Sequence, residues 1–402
     1  MSASETVKLS PSARALTRAA YVSFVPIGIA TVLLGPMLPT LSARWSLNYA
    51  QAGALFTAQY LASTCAVGLS GMLAAKWGFR FPMKAGLALV AIGLAFVLAG
   101  PRWLGVFCIG AYGGGLGLAV PPANLMVAEA NPGRRGATLN LLNFFWSSGA
   151  VACPFLVAAA ARQHRIPLFL GLVAAFSLCV AIGIAVMPST IVEPASTQHK
   201  GTGTIPLIQR NANGFLILGA LFFLYVGTEN AFGGWVASYA KSLGGLSPAM
   251  SLMTPAFFYA ALMLGRWIAP ILLRTLEEVK LVRACLLLAC LGSAGVVVSQ
   301  GLPAVIASAC ATGFGLSAVY PITIALLSRE FGPASSRIGS IMFVLSNIGG
   351  GLLPWVVGVF SNRTGTIKTG LFVPLIGCAA MFALFLRNWS EANDRVVEFP
   401  ST

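Results

Sequence analysis

The sequence predicts an all-α membrane protein with twelve transmembrane helices in two parallel, pseudo-symmetric bundles of six. Three observations lead to this prediction: the composition, the spacing of the polar breaks and an internal repeat. Of the 402 residues, 57% are hydrophobic and 9% are charged, and the mean hydropathy is +0.85. Soluble domains carry about 25% charged residues. A soluble chain of this length could not bury so much apolar surface, so a bilayer must cover it.

The apolar runs have the length of membrane-spanning helices. A hydrocarbon core of about 30 Å needs about 20 apolar residues per helix, and no alternation of polar and apolar positions indicates an outer-membrane barrel. The twelve predicted spans are 19–40, 49–72, 82–100, 103–128, 137–160, 166–187, 213–240, 249–273, 280–300, 303–327, 337–361 and 369–387.

The net charge of +15 lies mostly in short loops between the apolar runs. With a cytoplasmic N-terminus, 17 of the 25 basic residues fall on the inside and 7 on the outside. This asymmetry follows the positive-inside rule. The sequence therefore predicts a multi-pass protein of the inner (cytoplasmic) membrane with both termini cytoplasmic, and the basic residues orient the chain and bind no nucleic acid.

An internal repeat divides the chain into halves of the same orientation. Pro122 and Gly149 recur about 200 positions later as Pro321 and Gly349. Parallel repeats are typical of transporters, whose binding site lies between the halves near the midplane. The predicted domains are an N-terminal bundle over 1–187, a cytoplasmic linker over 188–212 and a C-terminal bundle over 213–402.

Sets of residues that would indicate catalysis or a cofactor do not occur in the sequence. Both histidines fall in loops, and the chain has neither a Ser/His/acid set, nor a metal-ligand cluster, nor a phosphate-binding loop. The eight cysteines lie inside apolar spans, where we expect them to pack as small buried hydrophobic side chains. We therefore expect no enzyme activity, no cofactor and no metal.

Glu229 is the acidic residue predicted at mid-membrane depth. A carboxylate there costs roughly 2.5–3.5 kcal/mol on insertion scales, and such residues usually face a cavity that serves ions, protons or substrate. Glu229 is thus the candidate proton-coupling residue. It could also accept hydrogen bonds from substrate hydroxyls without releasing a proton, or be satisfied by neighbours and only pack the bundle.

Amides and aromatic residues share the depth of Glu229 and suit a neutral polyhydroxylated ligand. Asn143 and Trp146 lie three residues apart, hence on one helix face. The predicted substrate-binding residues are Asn143, Trp146, Glu229, Asn230, Asn347, Gln59, Tyr259 and Trp235. Arg266 is the one basic residue within a span, and we expect it to extend toward the cytoplasm.

Two clusters of charge end the fourth and tenth spans at matching places in the halves. They combine Glu129 with Arg134 and Glu330 with Arg337. We expect them to latch the halves on the cytoplasmic side.

Two loop segments resemble the signature of the major facilitator superfamily. The first is GMLAAKWGFRFPMKAG, with Gly71, Gly78 and Arg80, and the second is GRWIAPILLR, from Gly265 to Arg274. The resemblance covers nearly the whole chain and implies the fold and the alternating-access mechanism of that family. Ala75 stands where the first of these two motifs usually has an acidic residue. This residue therefore cannot supply the negative charge of the usual latch at this loop.

Two further segments, YVGTENAFGGWVASY and GGLGLAVPPANLMVAEANPGRRGATLNLLNFFWSSGA, resemble the fucose/glucose/galactose permease branch. That branch implies an acidic coupling position at Glu229 and sugar-contacting positions at Asn143 and Trp146. The fucose permease has carboxylates in its first and fourth spans. The corresponding positions here are approximately Gly35 and Val120, which carry no charge. Any proton handling would therefore move to Glu229, or coupling would be absent.

The expected function is secondary active transport of a sugar or similar small neutral solute, with proton symport through Glu229. Sodium is the other candidate ion, and the resemblance implies a monomer in the lipid bilayer. An uncoupled sugar facilitator and a small-molecule or drug exporter of the same fold are the alternatives.

Overall fold

The computed structural model describes residues 11–131, 135–187, 211–244 and 247–388, and the regular secondary structure in these ranges is helical. This confirms the predicted fold class. The first seven helices are α1 (Pro11–Val32), α2 (Leu34–Trp45), α3 (Tyr49–Trp77), α4 (Arg80–Phe96), α5 (Arg102–Ala130), α6 (Arg135–Arg162) and α7 (Ile166–Val186). The others are α8 (Ala212–Ser242), α9 (Pro248–Leu272), α10 (Glu278–Val298), α11 (Leu302–Leu316), α12 (Val319–Phe331), α13 (Ser335–Thr364), α14 (Ile367–Gly370) and α15 (Phe372–Asn388), with a 3₁₀ turn at Gly332–Ala334.

Eleven helical segments in the described ranges are long and apolar enough to cross a bilayer. The twelfth is α4, whose 17 residues lie at the lower limit for a spanning helix. Two predicted spans are each built from two consecutive helices, α1 with α2 and α11 with α12. Pro36 and Pro321 lie in the first turn of the second helix of each pair. Proline has no N–H for the carbonyl four residues earlier, so the helix is interrupted there.

The described residues fall into two compact units. The first takes its residues from Met1–Leu33 and Ala58–Lys200, and the second from Leu34–Thr57 and Gly201–Thr402. The segment 34–57 therefore packs with the second unit, although it lies early in the chain. The predicted linker falls almost wholly outside the described residues, and the division at that linker stays a prediction.

Close helix crossings organise the first unit. Helix α1 packs along α6, and α4 packs on both α5 and α7. At Gly149 of α6, an added Cβ would meet the backbone carbonyl of Val25 in α1. At Gly113 of α5, it would meet the backbone carbonyl of Gln59 in α3. Glycine at these two positions lets the helix backbones touch.

The same crossings recur in the second unit. Helix α8 packs along α13, and α10 packs on both α11 and α15. An added Cβ at Gly349 would meet the carbonyl of Phe223, and one at Gly313 would meet the carbonyl of Phe258. Gly313 and Gly349 each follow their first-unit counterparts by 200 positions. The repeat in the sequence is thus a repeat of backbone contacts.

We expect Gly349→Ala to lower the stability of the protein because the methyl group has no room against the Phe223 carbonyl. Overpacking of this kind costs about 1–3 kcal/mol. The matched control is Gly183→Ala in α7, where an added Cβ meets nothing within 4 Å. Alanine is the better helix former by about 1 kcal/mol, so the control should be neutral or stabilising. Thermal unfolding in detergent measures the stability of both variants. Equal unfolding midpoints for Gly349→Ala and Gly183→Ala would contradict the role of the contact between Gly349 and the Phe223 carbonyl.

Candidate functional site

In the first unit, four helices bring a polar cluster together, which we name the Thr31 cluster: Thr31, Gln59, Tyr112 and Trp146. The indole Nε1 of Trp146 donates to Thr31 Oγ1 at 3.4 Å. The Gln59 amide donates to the Thr31 carbonyl at 3.3 Å and accepts from the Tyr112 hydroxyl at 3.3 Å. Gln59 is 2% exposed and Tyr112 is 1% exposed. Two of the predicted binding residues, Gln59 and Trp146, therefore belong to one network.

Asn143 lies one turn before Trp146 on α6, as its spacing predicts. Its amide Nδ2 donates to the carbonyl of Leu139 at 3.0 Å, within the same helix. The residue is exposed, whereas Trp146 is half-buried. The Asn143 amide oxygen is thus available for a hydrogen bond beside the ring of Trp146.

In the second unit, α8, α9 and α12 form what we name the Glu229 cluster: Tyr225, Glu229, Arg266 and Tyr320. Glu229 is 8% exposed, and Tyr225 lies one turn earlier on the same face of α8. The Tyr225 hydroxyl accepts from Arg266 Nη2 at 3.2 Å. The rings of Tyr225 and Tyr320 lie 5.2 Å apart.

The expectation that Arg266 extends toward the cytoplasm is wrong. Its guanidinium is held inside the protein by the Tyr225 hydroxyl, one helical turn before Glu229 on α8. Burying a lone cation is expensive, but a nearby carboxylate offsets that penalty. Because the partner is on another helix, the sequence spacing gave no sign of this contact.

Asn230, Tyr259 and Asn347 have different surroundings. The Asn230 amide donates within α8 to the Val226 carbonyl at 2.8 Å. Tyr259 is 3% exposed, and an added Cβ at Gly233 would meet its hydroxyl, so α9 and α8 touch there. Asn347 is half-buried on α13. Their predicted role in substrate binding stays a prediction.

Trp235 is 1% exposed and lies deep in the second unit. Its Nε1 donates to the backbone carbonyl of Pro354 in α13 at 2.9 Å. The ring of Tyr49 packs edge-on against it at 6.3 Å. These contacts give Trp235 a packing function, and its predicted contact with substrate is not tested by them.

The loop motif of the first half supports the end of another helix. Arg80 donates to the carbonyls of Ile184 at 2.7 Å and Ala185 at 3.4 Å, and also to that of Met187. These are carbonyls at the C-terminal end of α7, which have no partners within the helix. Gly78 has φ +71°, a left-handed conformation that favours glycine, and Gly71 lies exposed before it.

The second half uses Arg283 in the same way, and the sequence analysis missed it. Its guanidinium donates to the Phe385 carbonyl at 3.1 Å, near the end of α15. Arg283 follows Arg80 by 203 positions, so the repeat offset would have pointed to it. Within the predicted second motif, Arg274 is exposed and Gly265 lies against Ser317.

The predicted charge latches are only partly within the described residues. Glu129 is exposed at the end of α5, and Arg134 lies outside the described residues. Glu330 accepts from the Asn211 amide at 2.6 Å, while Asn211 caps α8 through the backbone N–H of Gly214. The side chain of Arg337 lies outside the described part, so the latches stay predictions.

In the ranges that the structure describes, no three His, Cys, Asp or Glu side chains are grouped so that they could hold a metal ion. The two polar clusters instead present hydroxyls, amides, one carboxylate and one guanidinium. Such groups bind a ligand by hydrogen bonding, and aromatic rings beside them supply apolar contact.

Comparison with known proteins gives consistent results. The sequence profile of the Major Facilitator Superfamily matches residues 20–354. A glucose/galactose transporter of Brucella abortus is 25% identical over 383 residues, covering 89% of this chain and 90% of that protein. A D-xylose–proton symporter superposes with a TM-score of 0.76 at 15% identity, covering 94% and 97% of the two chains. The E. coli fucose:proton symporter gives 0.64 at 20% identity, covering 92% and 97%.

We expect Arg80→Gln to destabilise the protein because three carbonyls at the end of α7 lose a charged donor. A hydrogen bond to a charged group contributes about 1.5–3 kcal/mol. Arg274→Gln is the control, since Arg274 is exposed in the corresponding motif of the second half. Thermal midpoints in detergent should fall for the first variant and stay near wild type for the second. A larger fall of the thermal midpoint in Arg274→Gln than in Arg80→Gln would refute the conclusion that Arg80 stabilises the end of α7.

Proposed function

Because the chain belongs to the Major Facilitator Superfamily, whose members are membrane transporters, we propose that it carries a monosaccharide or a similar small neutral solute by alternating access. The Brucella relative named a glucose/galactose transporter supports a sugar, since the similarity extends over about nine-tenths of both chains. We further propose that it is a monomer of the cytoplasmic membrane with both termini cytoplasmic, as the loop charges indicate.

The buried carboxylate of Glu229 is the observation that carries this proposal. Among the described residues it is the one acidic side chain within the protein interior. Arg266, which donates to the Tyr225 hydroxyl one turn before Glu229, supplies an opposite charge on the same side of α8. A group with two protonation states and few fixed partners can load a proton on one side of a membrane and release it on the other.

The remaining predicted residues suit the hydroxyls of a sugar. Amides such as Asn143 and Asn230 both donate and accept hydrogen bonds. The ring of Trp146 offers a flat face to sugar C–H groups, and its own N–H is already fixed by Thr31. We propose that Trp146 and Glu229 are substrate-binding residues.

Proton symport through a single carboxylate is thermodynamically sufficient. One proton crossing 100 mV releases about 2.3 kcal/mol. At about 1.4 kcal/mol per tenfold, that sustains roughly a fiftyfold sugar gradient.

An uncoupled facilitator is the second candidate, and the position of Arg266 favours it. A guanidinium near a carboxylate stabilises the charged form. If Glu229 stayed ionised throughout the cycle, it would bind sugar hydroxyls and carry no proton.

Sugar uptake into proteoliposomes, with and without an inward pH gradient, separates the two candidates. Symport predicts accumulation only with the gradient, and facilitation predicts equilibration in both. If neutral sugars gave no uptake in either condition, the sugar proposal would fail.

We predict that Glu229→Gln abolishes accumulation driven by a pH gradient but retains sugar exchange between the two sides. Glutamine keeps the size and the hydrogen-bonding oxygen but has no titratable proton. The control is Glu277→Gln, whose carboxylate is exposed and pairs with Lys280 at 3.0 Å. Wild-type accumulation by Glu229→Gln would exclude this residue from coupling.

We predict that Trp146→Ala weakens sugar binding by tenfold or more. Removal of the indole takes away a flat face beside Asn143 and frees the Thr31 hydroxyl. Trp267→Ala serves as a control because Trp267 is 65% exposed on the outer surface of α9. Isothermal titration of purified protein measures both, and unchanged affinity in Trp146→Ala would assign this residue to packing.

A further inference from the structure

The pairing of Arg266 with Glu229 points to a determinant of substrate charge. We propose that these two residues form a charge-neutral pair that makes the carrier select uncharged monosaccharides and reject sugars that carry a carboxylate or an ammonium group. The inference rests on the proposed sugar-carrier function, and it applies to the ionised form of Glu229, since a protonated Glu229 would leave the charge of Arg266 unbalanced.

The geometry brings the two charged groups to one face of α8. Tyr225 and Glu229 are four residues apart on α8, so they lie on the same face. The Tyr225 hydroxyl accepts from Arg266 Nη2 at 3.2 Å, so the guanidinium lies against this face. The ring of Tyr320 lies 5.2 Å from that of Tyr225.

The other described charges near this part of the second unit lie at helix ends. Helix α8 packs against α2, α9, α11, α12, α13, α14 and α15. Apart from Glu229 and Arg266, the described charged side chains on α8 and these helices are Lys241, Arg44, Arg329, Glu330, Arg363, Lys368 and Arg387, each within the last turn of its helix. Around α8, the described interior therefore holds one positive and one negative charge, and their sum is zero.

Net charge matters more here than at a surface because the interaction of two charges increases as the dielectric constant falls. An ionic ligand that enters a neutral, poorly hydrated site loses its hydration and gains no opposite charge in return. A neutral sugar loses only hydrogen bonds with water, which amides, hydroxyls and the carboxylate can replace. Removal of either charged residue would leave the other as an attractive partner for an ion of opposite sign.

A purely structural role does not account for this pair. Replacing a buried ion pair by apolar residues is often neutral or stabilising, so packing alone gives no reason to keep one. Glu229 and the adjacent Asn230 are each 8% exposed, and Arg266 is half-buried, whereas Phe232 and Phe258 nearby are at most 1% exposed. The charged pair is thus less enclosed than the apolar packing around it.

The test measures the binding of glucose, glucuronate and glucosamine, and of the three galactose counterparts, to purified protein. The proteins are wild type, Glu229→Gln, Arg266→Gln and the double variant Glu229→Gln/Arg266→Gln. Wild type should bind a neutral sugar at least tenfold more tightly than the uronate or the amino sugar. Glu229→Gln should gain at least tenfold in affinity for the uronate, Arg266→Gln should gain similarly for the amino sugar, and the double variant should lose both gains.

The outcomes separate this inference from the proposed function. Equal binding of the neutral sugar and the uronate by wild type would overturn the inference and leave the sugar proposal intact, and this measurement needs no variant. A Glu229→Gln protein that binds the neutral sugar without gaining affinity for the uronate would also overturn it. If no neutral sugar bound wild type, the sugar proposal would fail and the inference with it. If one single variant did not fold, the reciprocal variant would provide the same comparison, and Tyr225→Phe, which retains both charges, should keep the wild-type preference.

Discussion

The backbone cannot find water inside a bilayer, and the rest of the structure depends on that constraint. Each spanning segment closes its own hydrogen bonds as a helix, because an unpaired N–H or carbonyl in hydrocarbon costs several kcal/mol. What remains free is how closely the helices approach each other. Gly113 and Gly149 settle this in the first unit, and Gly313 and Gly349 do so in the second, by allowing backbone-to-backbone contact.

At helix ends and helix breaks, some backbone N–H and carbonyl groups have no partner within their own helix. Arg80 and Arg283 donate to free carbonyls at the ends of α7 and α15, and each therefore satisfies groups that its own helix cannot. These long-range hydrogen bonds hold α4 against α7 in the first half and α10 against α15 in the second half. A motif that a sequence comparison would assign to gating thus also has a structural function within one unit.

The polar residues of the interior are arranged by the same crossings. Close contact between α1 and α6 brings the Trp146 indole to Thr31, and the packing of α8, α9 and α12 brings Tyr225, Arg266 and Tyr320 around Glu229. A carboxylate and a guanidinium on the same side of one helix avoid the penalty of an isolated buried charge. Among the described residues around α8 their charges sum to zero, which is a property relevant to what a carrier admits.

The sequence by itself determined the number of spans, their lengths, the repeat and the unusual position of Glu229, because hydropathy and the penalty for a buried charge are local properties. It also placed Gln59 and Trp146 among the polar interior residues. It could not place Arg266, since a side chain of that length reaches either a helix end or a neighbouring helix, and only the packing of α9 on α8 decides which. Nor could it assign Trp235 a bond to Pro354 or Arg283 a bond to Phe385, because those partners are about 100 or more residues away in sequence and are brought together by the tertiary structure alone.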